Sequence, residues 1–517
     1  MFRKALKGIC LMLAVLISFS GCTGNKSGGS NSSDESAEIS VMVYDRGEVA
    51  ASEGTYDNNR WTEYINKETG LNIKYVPVPR NEVQQKLSTL FAAGDAPDII
   101  PEFSSDLIAT FVNQGVLQPV GDYIEEYSTS YKKYLQENPE LLPYITYDNE
   151  IYALANKRPL DTIVNCGYWI RQDWLDALGL EMPTSDEELI EVAKQFRDRD
   201  PDGNGLDDTL GLSIMLWHEN LGTMYYASTI WYVEDDGRLV YGNLVDRFVD
   251  SLAFFKTLYD EKLIDEEFIT DKNFQKQKQL WVTGKSGILA NQWWTEGFNS
   301  ELLKNNPDAR PEPMEPISTK YGRNAFYQEG IAERYVAFNK DMKNPKGAIK
   351  FLDWMFDKGW HALQYGFEGV HYNMEDGVPK TIDFDKFKTE VSYARDYSIL
   401  NQRTITPDEI VKMAAPDPVS QQLAEQKKKS LEVNSRFEFR RDIAYNPTIP
   451  EVSTIMSQYV PKRDEIRMKV VVGGEEFTPE WGMEQLRAEW ARMGGAEVDR
   501  LVNEWYKENE QSLIIAK

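Results

Sequence analysis

Leu87-Ser88-Thr89-Leu90-Phe91-Ala92-Ala93-Gly94-Asp95-Ala96-Pro97-Asp98, continued by Ile99-Ile100-Pro101, compresses a helix, a break and a strand into one short stretch. Val83, Leu87, Leu90 and Phe91 recur at helical spacing and form one apolar face. Gly94 to Pro97 stops that helix, and Asp98 to Pro101 resumes as a short strand. Upstream the same rhythm holds. Ile39-Ser40-Val41-Met42-Val43-Tyr44 reads as a strand by its β-branched content, Trp61, Tyr64 and Ile65 mark a helix ending at Gly70, and Leu71 to Val76 is the next strand. Strand and helix alternate as in a parallel sheet, so the fold class is α/β.

Past Tyr152 the alternation restarts. A strand is expected around Asn165 to Ile170, a helix opened by a capping box from Thr184 to Glu187, and an amphipathic helix from Asp246 to Glu261. Gly287-Ile288-Leu289-Ala290 reads as a strand running into Trp293-Trp294. Arg334 to Phe338 is another, ahead of a helix begun at Asn344-Pro345 that carries Ile349, Leu352 and Phe356. This second α/β lobe places crossings near 160 and 335. The expected organisation is 39–160 and 336–400 in one lobe, with 161–335 and 401–517 in the other.

The first residues carry a different signal. Arg3, Lys4 and Lys7 precede an apolar run from Ile9 to Phe19 and then Ser20-Gly21-Cys22, the three-part layout of a secretory signal. The run is shorter than the roughly 20 residues a permanent span needs. Ser20-Gly21-Cys22 resembles the end of a bacterial lipoprotein signal, which implies cleavage after 1–21 and a diacylglyceryl group and palmitate on Cys22. Phe19 stands where leucine is typical, which leaves ordinary signal cleavage open. Residues 22–38 are rich in Gly, Ser, Asn and acid and read as a flexible tether.

The whole chain has 517 residues and a formal charge of −26. That balance repels nucleic acid and anionic headgroups, so a nucleic-acid partner is not expected. With Cys10 in the signal and Cys22 lipidated, Cys166 is the last thiol, which removes disulfide frameworks and cysteine metal sites. His218, His361 and His371 are too scattered for a local zinc motif. Gly284-Lys285-Ser286 lacks the upstream glycine of a phosphate loop, and His218-Glu219 lacks the second histidine of a zinc-protease helix.

Asp200-Pro201-Asp202-Gly203-Asn204-Gly205-Leu206-Asp207-Asp208 sets oxygen side chains at loop positions 1, 3, 5 and 9, with glycine at 6. Asp200, Asp202, Asn204 and Asp208, with the Leu206 carbonyl, would cage a structural Ca²⁺. Gly211 stands where a helix-loop-helix sensor carries glutamate, and the alternative is a solvated acidic turn.

Ligands of open α/β sheets sit beyond the carboxyl ends of parallel strands. That rule selects Tyr44-Asp45-Arg46 and Phe103-Ser104-Ser105, with solvated turns as the alternative. Trp217, Trp293 and Trp294 sit in polar contexts and suit the apolar faces of pyranose rings. Tyr335 lies at the return crossing. Lys157-Arg158 is either a uronate partner or a solvated basic pair.

The stretch from Leu87 to Asp98, Tyr168-Trp169-Ile170-Arg171-Gln172-Asp173-Trp174-Leu175 with Gly179 and Pro183-Thr184, and Gly366-Phe367-Glu368-Gly369-Val370-His371-Tyr372 together resemble the lipoprotein solute-binding components of bacterial carbohydrate ABC importers, family-one extracellular binding proteins. The calcium loop is similar to that of alginate-binding members of the large oligosaccharide-binding subgroup. The resemblance implies a two-lobe periplasmic-binding-protein-like fold with a hinge and an interlobe cleft, and it adds His371 to the candidate ligand residues. It also implies a non-enzymatic monomer that delivers an oligosaccharide to ABC permease subunits while anchored by lipid on the outer face of the cell membrane. A lipid-anchored glycosidase or polysaccharide lyase is the alternative; it would need a catalytic acid and base.

Overall fold

The computed structural model describes residues 38–164, 166–214, 222–271, 275–292, 296–323, 326, 329–437 and 449–510. Cys22, Trp217, Trp293 and Trp294 lie outside them. Buried apolar side chains form two separate cores. One draws on 39–155 and 332–400, the other on 168–326 and 452–506. Among the described residues no helix is long and apolar enough to cross a membrane.

The first core surrounds a six-stranded sheet. Ile39–Asp45 lies between Ile73–Pro79 and Ile99–Glu102 and runs parallel to both. Val41, Met42 and Val43 are all buried, as expected of a strand covered on both faces. Asp98 fixes where the third strand begins. One of its carboxylate oxygens accepts from the Ser40 N–H (2.8 Å) and hydroxyl (2.7 Å), and that hydroxyl accepts from the Asp98 N–H (2.9 Å). Helix ends follow local chemistry: Asn59 and Thr62 form a capping box for Arg60–Thr69, Gly70 ends it at φ 67°, and Asn344 caps the helix that opens with Pro345.

Ala332–Asn339 enters antiparallel beside Ile99–Glu102 and also pairs with Leu117–Gln118 and Ala153–Lys157. The sheet is therefore mixed, not wholly parallel as the alternation predicts. The reason is topological: this strand returns from the second core, so it enters at the edge where the parallel strands end. The whole of Ala332–Asn339, Tyr335 included, belongs to the first sheet, so the return lies ahead of residue 335.

In the second core Cys166–Arg171 pairs antiparallel with Ser286–Gln292 and Pro311–Pro313, while Leu210–Ile214 runs parallel to Ser286–Gln292. Helices Pro450–Val472, Pro479–Arg492 and Gly495–Asn509 complete it. Helix Asp186–Asp198 is capped by Ser185, one residue later than the expected box, and the Glu188 carboxylate instead accepts from the N–H and hydroxyl of Thr184 (both 2.8 Å). Two glycines let the sheet approach this helix. A β-carbon on Gly211 would lie 2.6 Å from that of Ala193, and one on Gly287 would lie 2.0 Å from the Phe196 ring.

Three segments join the lobes, and polar groups tie them together. The Arg158 N–H donates to the Ile331 carbonyl (2.8 Å), and its guanidinium lies 3.4 Å from Glu329 and 3.7 Å from Glu333. Arg403 donates to both oxygens of Asp161, at 3.1 and 2.9 Å. Lys157 pairs with Glu140, so neither member of Lys157-Arg158 lacks an acidic partner.

The close contact at Gly287 is testable. Gly287→Ala forces a methyl into the fully buried Phe196 ring and is expected to destabilise the protein by about 1–3 kcal/mol, read as a lower urea midpoint at unchanged slope; an unchanged midpoint would refute the packing argument.

Candidate functional site

The registers show which edge of the first sheet faces the second lobe. Lys157 pairs with Ala332, and Glu102 with Tyr335, so the strand leaving for the second lobe and the strand returning from it both meet the carboxyl ends of the parallel strands. At that edge Tyr44 and Phe103 stack with ring centroids 5.6 Å apart and planes 15° from parallel. The Tyr44 hydroxyl donates to Glu102 (2.7 Å), whose other oxygen accepts from the N–H groups of Phe103 (2.7 Å) and Ser104 (2.9 Å). Glu102 is buried, and these three donors satisfy its charge. Burial, followed by the charge of Glu102, pushes the Tyr44 phenol well above its usual range.

Three guanidiniums surround the two rings. Arg80 lies 4.7 Å from the Tyr44 centroid and 5.3 Å from that of Phe103; Arg46 lies 5.5 Å from Tyr44 and Arg334 4.9 Å from Phe103. Arg46 Nε donates to Asp396 (2.9 Å). Arg334 is buried, and one of its terminal nitrogens donates to the carbonyls of Arg395 (3.0 Å), Asp396 (3.4 Å) and Ser398 (3.0 Å). Burial lowers the pKa of Arg334, opposed by Asp396 and Glu333.

The residues selected from sequence divide by position. Arg46 is at the edge and partly exposed. Tyr44 is 1% exposed, so it reaches a ligand only through the Phe103 and Arg80 groups stacked on it. Asp45 accepts from the Gly47 N–H (2.9 Å) and shapes the turn. The Ser104 hydroxyl is spent as the N-cap of helix Ser105–Asn113, and the Ser105 carbonyl accepts from the Tyr147 hydroxyl (3.4 Å). Tyr335 is buried in the sheet. His371 is not an available ligand group: it is buried, its Nδ1 accepts from the Phe367 N–H (2.9 Å), and its Nε2 faces Glu390 (3.1 Å). Arg80, Glu102 and Asp396 carry no site signal in the sequence, and Arg334 enters it only as the first residue of a strand.

Helix Ser105–Asn113 runs from this edge along the space between the lobes. A cleft of about 690 Å³ is lined by Asp106 and Thr110 on that helix and by Trp231, Tyr241 and Met456 across from it. The size suits a small-molecule or oligomer site.

The Asp200–Asp208 loop is held by its own oxygens. Asp200 accepts from the N–H groups of Asn204 (3.1 Å) and Gly205 (2.9 Å), and the Asn204 amide donates to Asp202 (2.9 Å) and Asp208 (3.2 Å). Lys285 pairs with Asp208. Backbone donation, led by Gly205, lowers the pKa of Asp200; burial and then the Asp200 carboxylate raise that of Asp202. The donors are all hard oxygens, the chemistry Ca²⁺ takes. Among the described residues, no three or more acidic, histidine or cysteine groups gather closely enough to hold a metal ion as they stand.

Comparison with known proteins places this architecture. Residues 51–362 match the family described as bacterial extracellular solute-binding protein. Lipoprotein LipO of Bacillus subtilis (strain 168) is 25% identical over 98% of this chain and 99% of its own length. The polygalacturonan/rhamnogalacturonan-binding protein YtcQ of the same organism is 28% identical over 61% of this chain and 64% of its own. Among solved structures, the S. pneumoniae ABC-transporter substrate binding protein FusA in complex with kestose shares the fold at a TM-score of 0.71 and 18% identity, covering 92% of this chain and all of that one (100%). The fold is the two-lobe periplasmic-binding-protein-like α/β fold, and the chain belongs to the bacterial extracellular solute-binding protein family.

Proposed function

We propose that this chain captures an oligosaccharide between its lobes and presents it to the permease subunits of an ABC importer, without chemistry of its own. The observation that carries this reading is the aromatic and guanidinium edge formed by Phe103, Arg46 and Arg80 at the seam between two independently packed cores. A pyranose offers apolar C–H faces to a ring such as Phe103, and its hydroxyls accept from guanidinium N–H groups. Because the cores are separate and the crossings are tied by polar contacts, the lobes can close as rigid bodies over a ligand. The closed form is what the permease recognises, and one copy of the chain suffices. The polygalacturonan/rhamnogalacturonan named for YtcQ and the kestose bound by FusA support the ligand class.

In this reading Cys22 carries the lipid that holds the protein at the outer face of the membrane, as the lipoprotein relative supports. Asp200, Asp202, Asn204 and Asp208, with the Leu206 carbonyl, hold a structural Ca²⁺. A sensor role is ruled against by Gly211, which has already entered the strand that packs on Ala193 where a final glutamate would be needed.

A thermal-shift screen of plant, algal and bacterial oligosaccharides is expected to raise the unfolding temperature for one class, by mass action, at about 2.7 kcal/mol for ligand at a hundredfold its Kd. No shift across the panel, or cleavage of the bound sugar, overturns the reading. Chelation by EGTA is expected to lower the unfolding temperature and added Ca²⁺ to restore it, with Asp202→Ala removing the response; an unchanged temperature refutes the calcium site. Feeding cells a palmitate analogue should label the protein, and Cys22→Ser should abolish the label and release the protein from membranes.

A further inference from the structure

Arg80 stands apart from the other arginines. Among the described residues every other arginine has an ion pair or hydrogen bond within the protein, even the most exposed ones; Arg199, for example, reaches Gln195 at 3.2 Å. Arg80 has neither, and its only contacts of this kind are the faces of Tyr44 and Phe103. In a chain with 83 acidic and 57 basic residues, a guanidinium left without a carboxylate is not explained by scarcity of acid.

The charges around it do not cancel. Three guanidiniums, Arg46, Arg80 and Arg334, share the edge with two carboxylates, Glu102 and Asp396. Glu102 is saturated by three donors, and Asp396 sits between Arg46 (2.9 Å) and Arg334 (4.0 Å). Glu48 is paired with Arg395 (2.6 Å), Glu333 with Arg158 (3.7 Å), and Asp45 accepts from the Gly47 N–H on the strand face opposite Tyr44, while Glu82, two residues on from Arg80 in the same turn, makes no ion pair with it. The rings hold the planar Arg80 fork in place while leaving its N–H donors unused, the state in which a guanidinium takes an anion in two-point fashion.

We propose that Arg80 is the anion-recognition residue of this sheet edge, and that the oligosaccharide of the preceding reading carries a negative group, a uronate carboxylate or a sulfate ester. The inference rests on that reading, and its test separates the two. Calorimetry on the purified whole chain would use matched probes: oligogalacturonate, oligomannuronate and oligoguluronate against their carboxyl-reduced forms, and sulfated galactan oligosaccharides against their desulfated forms. In one pair the anionic member is expected to bind about ten- to a hundredfold more tightly than its neutral counterpart, as a charge-assisted contact provides, and the pair identifies carboxylate or sulfate.

Arg80→Gln should remove that preference: the neutral member loses the contact its hydroxyls make with the guanidinium, and the anionic member loses about ten- to a hundredfold more. Arg80→Lys, which keeps the charge but loses the planar fork, should retain part of it. Unfolding midpoints of both variants, with Arg80→Met preserving the stem, show whether a loss reflects folding. Equal binding of both members in every pair overturns the anionic assignment and leaves the oligosaccharide reading standing. An anionic preference that survives Arg80→Gln, or an equal loss for both members, overturns the role of Arg80. If no probe of either kind binds, the oligosaccharide reading falls and this inference falls with it.

Discussion

Arg334 is the constraint on which the first lobe and its edge depend. It occupies a left-handed backbone conformation, φ 53°, inside the irregularity between Glu333 and Val336 where the return strand meets Ala153–Lys157. Such a conformation costs a non-glycine residue about 1–3 kcal/mol, and burying a guanidinium adds several more unless it is fully paired. Both costs are offset in one place. The side chain donates to three carbonyls of 395–398, stacks on Phe103 and lies near Asp396, which in turn holds Arg46. The irregularity in the return strand, the last segment before the third crossing and the aromatic edge are thereby fixed relative to one another.

That rigidity contrasts with the joints between lobes. Each core is closed on itself by apolar packing, whereas the crossings are joined by Arg158 with Glu329 and Glu333 and by Arg403 with Asp161. Moving an apolar core face exposes surface at roughly 25 cal/mol per Å². Polar pairs at a partly hydrated joint exchange protein partners for water at a small net change. The division of labour is physical: the edge holds its shape while the joint yields, as closure on a ligand requires.

What was legible in the sequence was local. Gly70, Gly94, Asn344-Pro345 and the Leu87–Asp98 motif each act over a few residues, and each formed its expected element. Arg80 was missed for a specific reason. Pro77 and Pro79 argue for a strand ending near Val76, but Ile73–Pro79 is an edge strand, where proline is tolerated, and it continues to the same carboxyl end as its neighbours. Had that strand been extended, the rule that selected Arg46 and Ser104 would have selected Arg80. Asp396 left no such trace, since its partner Arg46 is 350 residues away in the chain. His371 shows the converse: a motif residue whose ring nitrogens are both engaged by Phe367 and Glu390, so its place in the motif is structural.

An anionic ligand for a chain of charge −26 is not a contradiction, because the two charges act over different ranges. Exposed carboxylates are screened beyond about 8–10 Å at physiological ionic strength, and at this edge Glu102, Asp396 and Asp45 each accept from a donor within the protein. The long-range field therefore slows encounter without opposing the bound state, whereas Arg80 acts at contact, against aromatic faces. Electrostatic steering and electrostatic recognition are thus separated in this molecule. A net acidic surface repels anionic headgroups, and the Arg80 guanidinium, displayed on a platform braced by Arg334 and Glu102, is where negative charge is admitted.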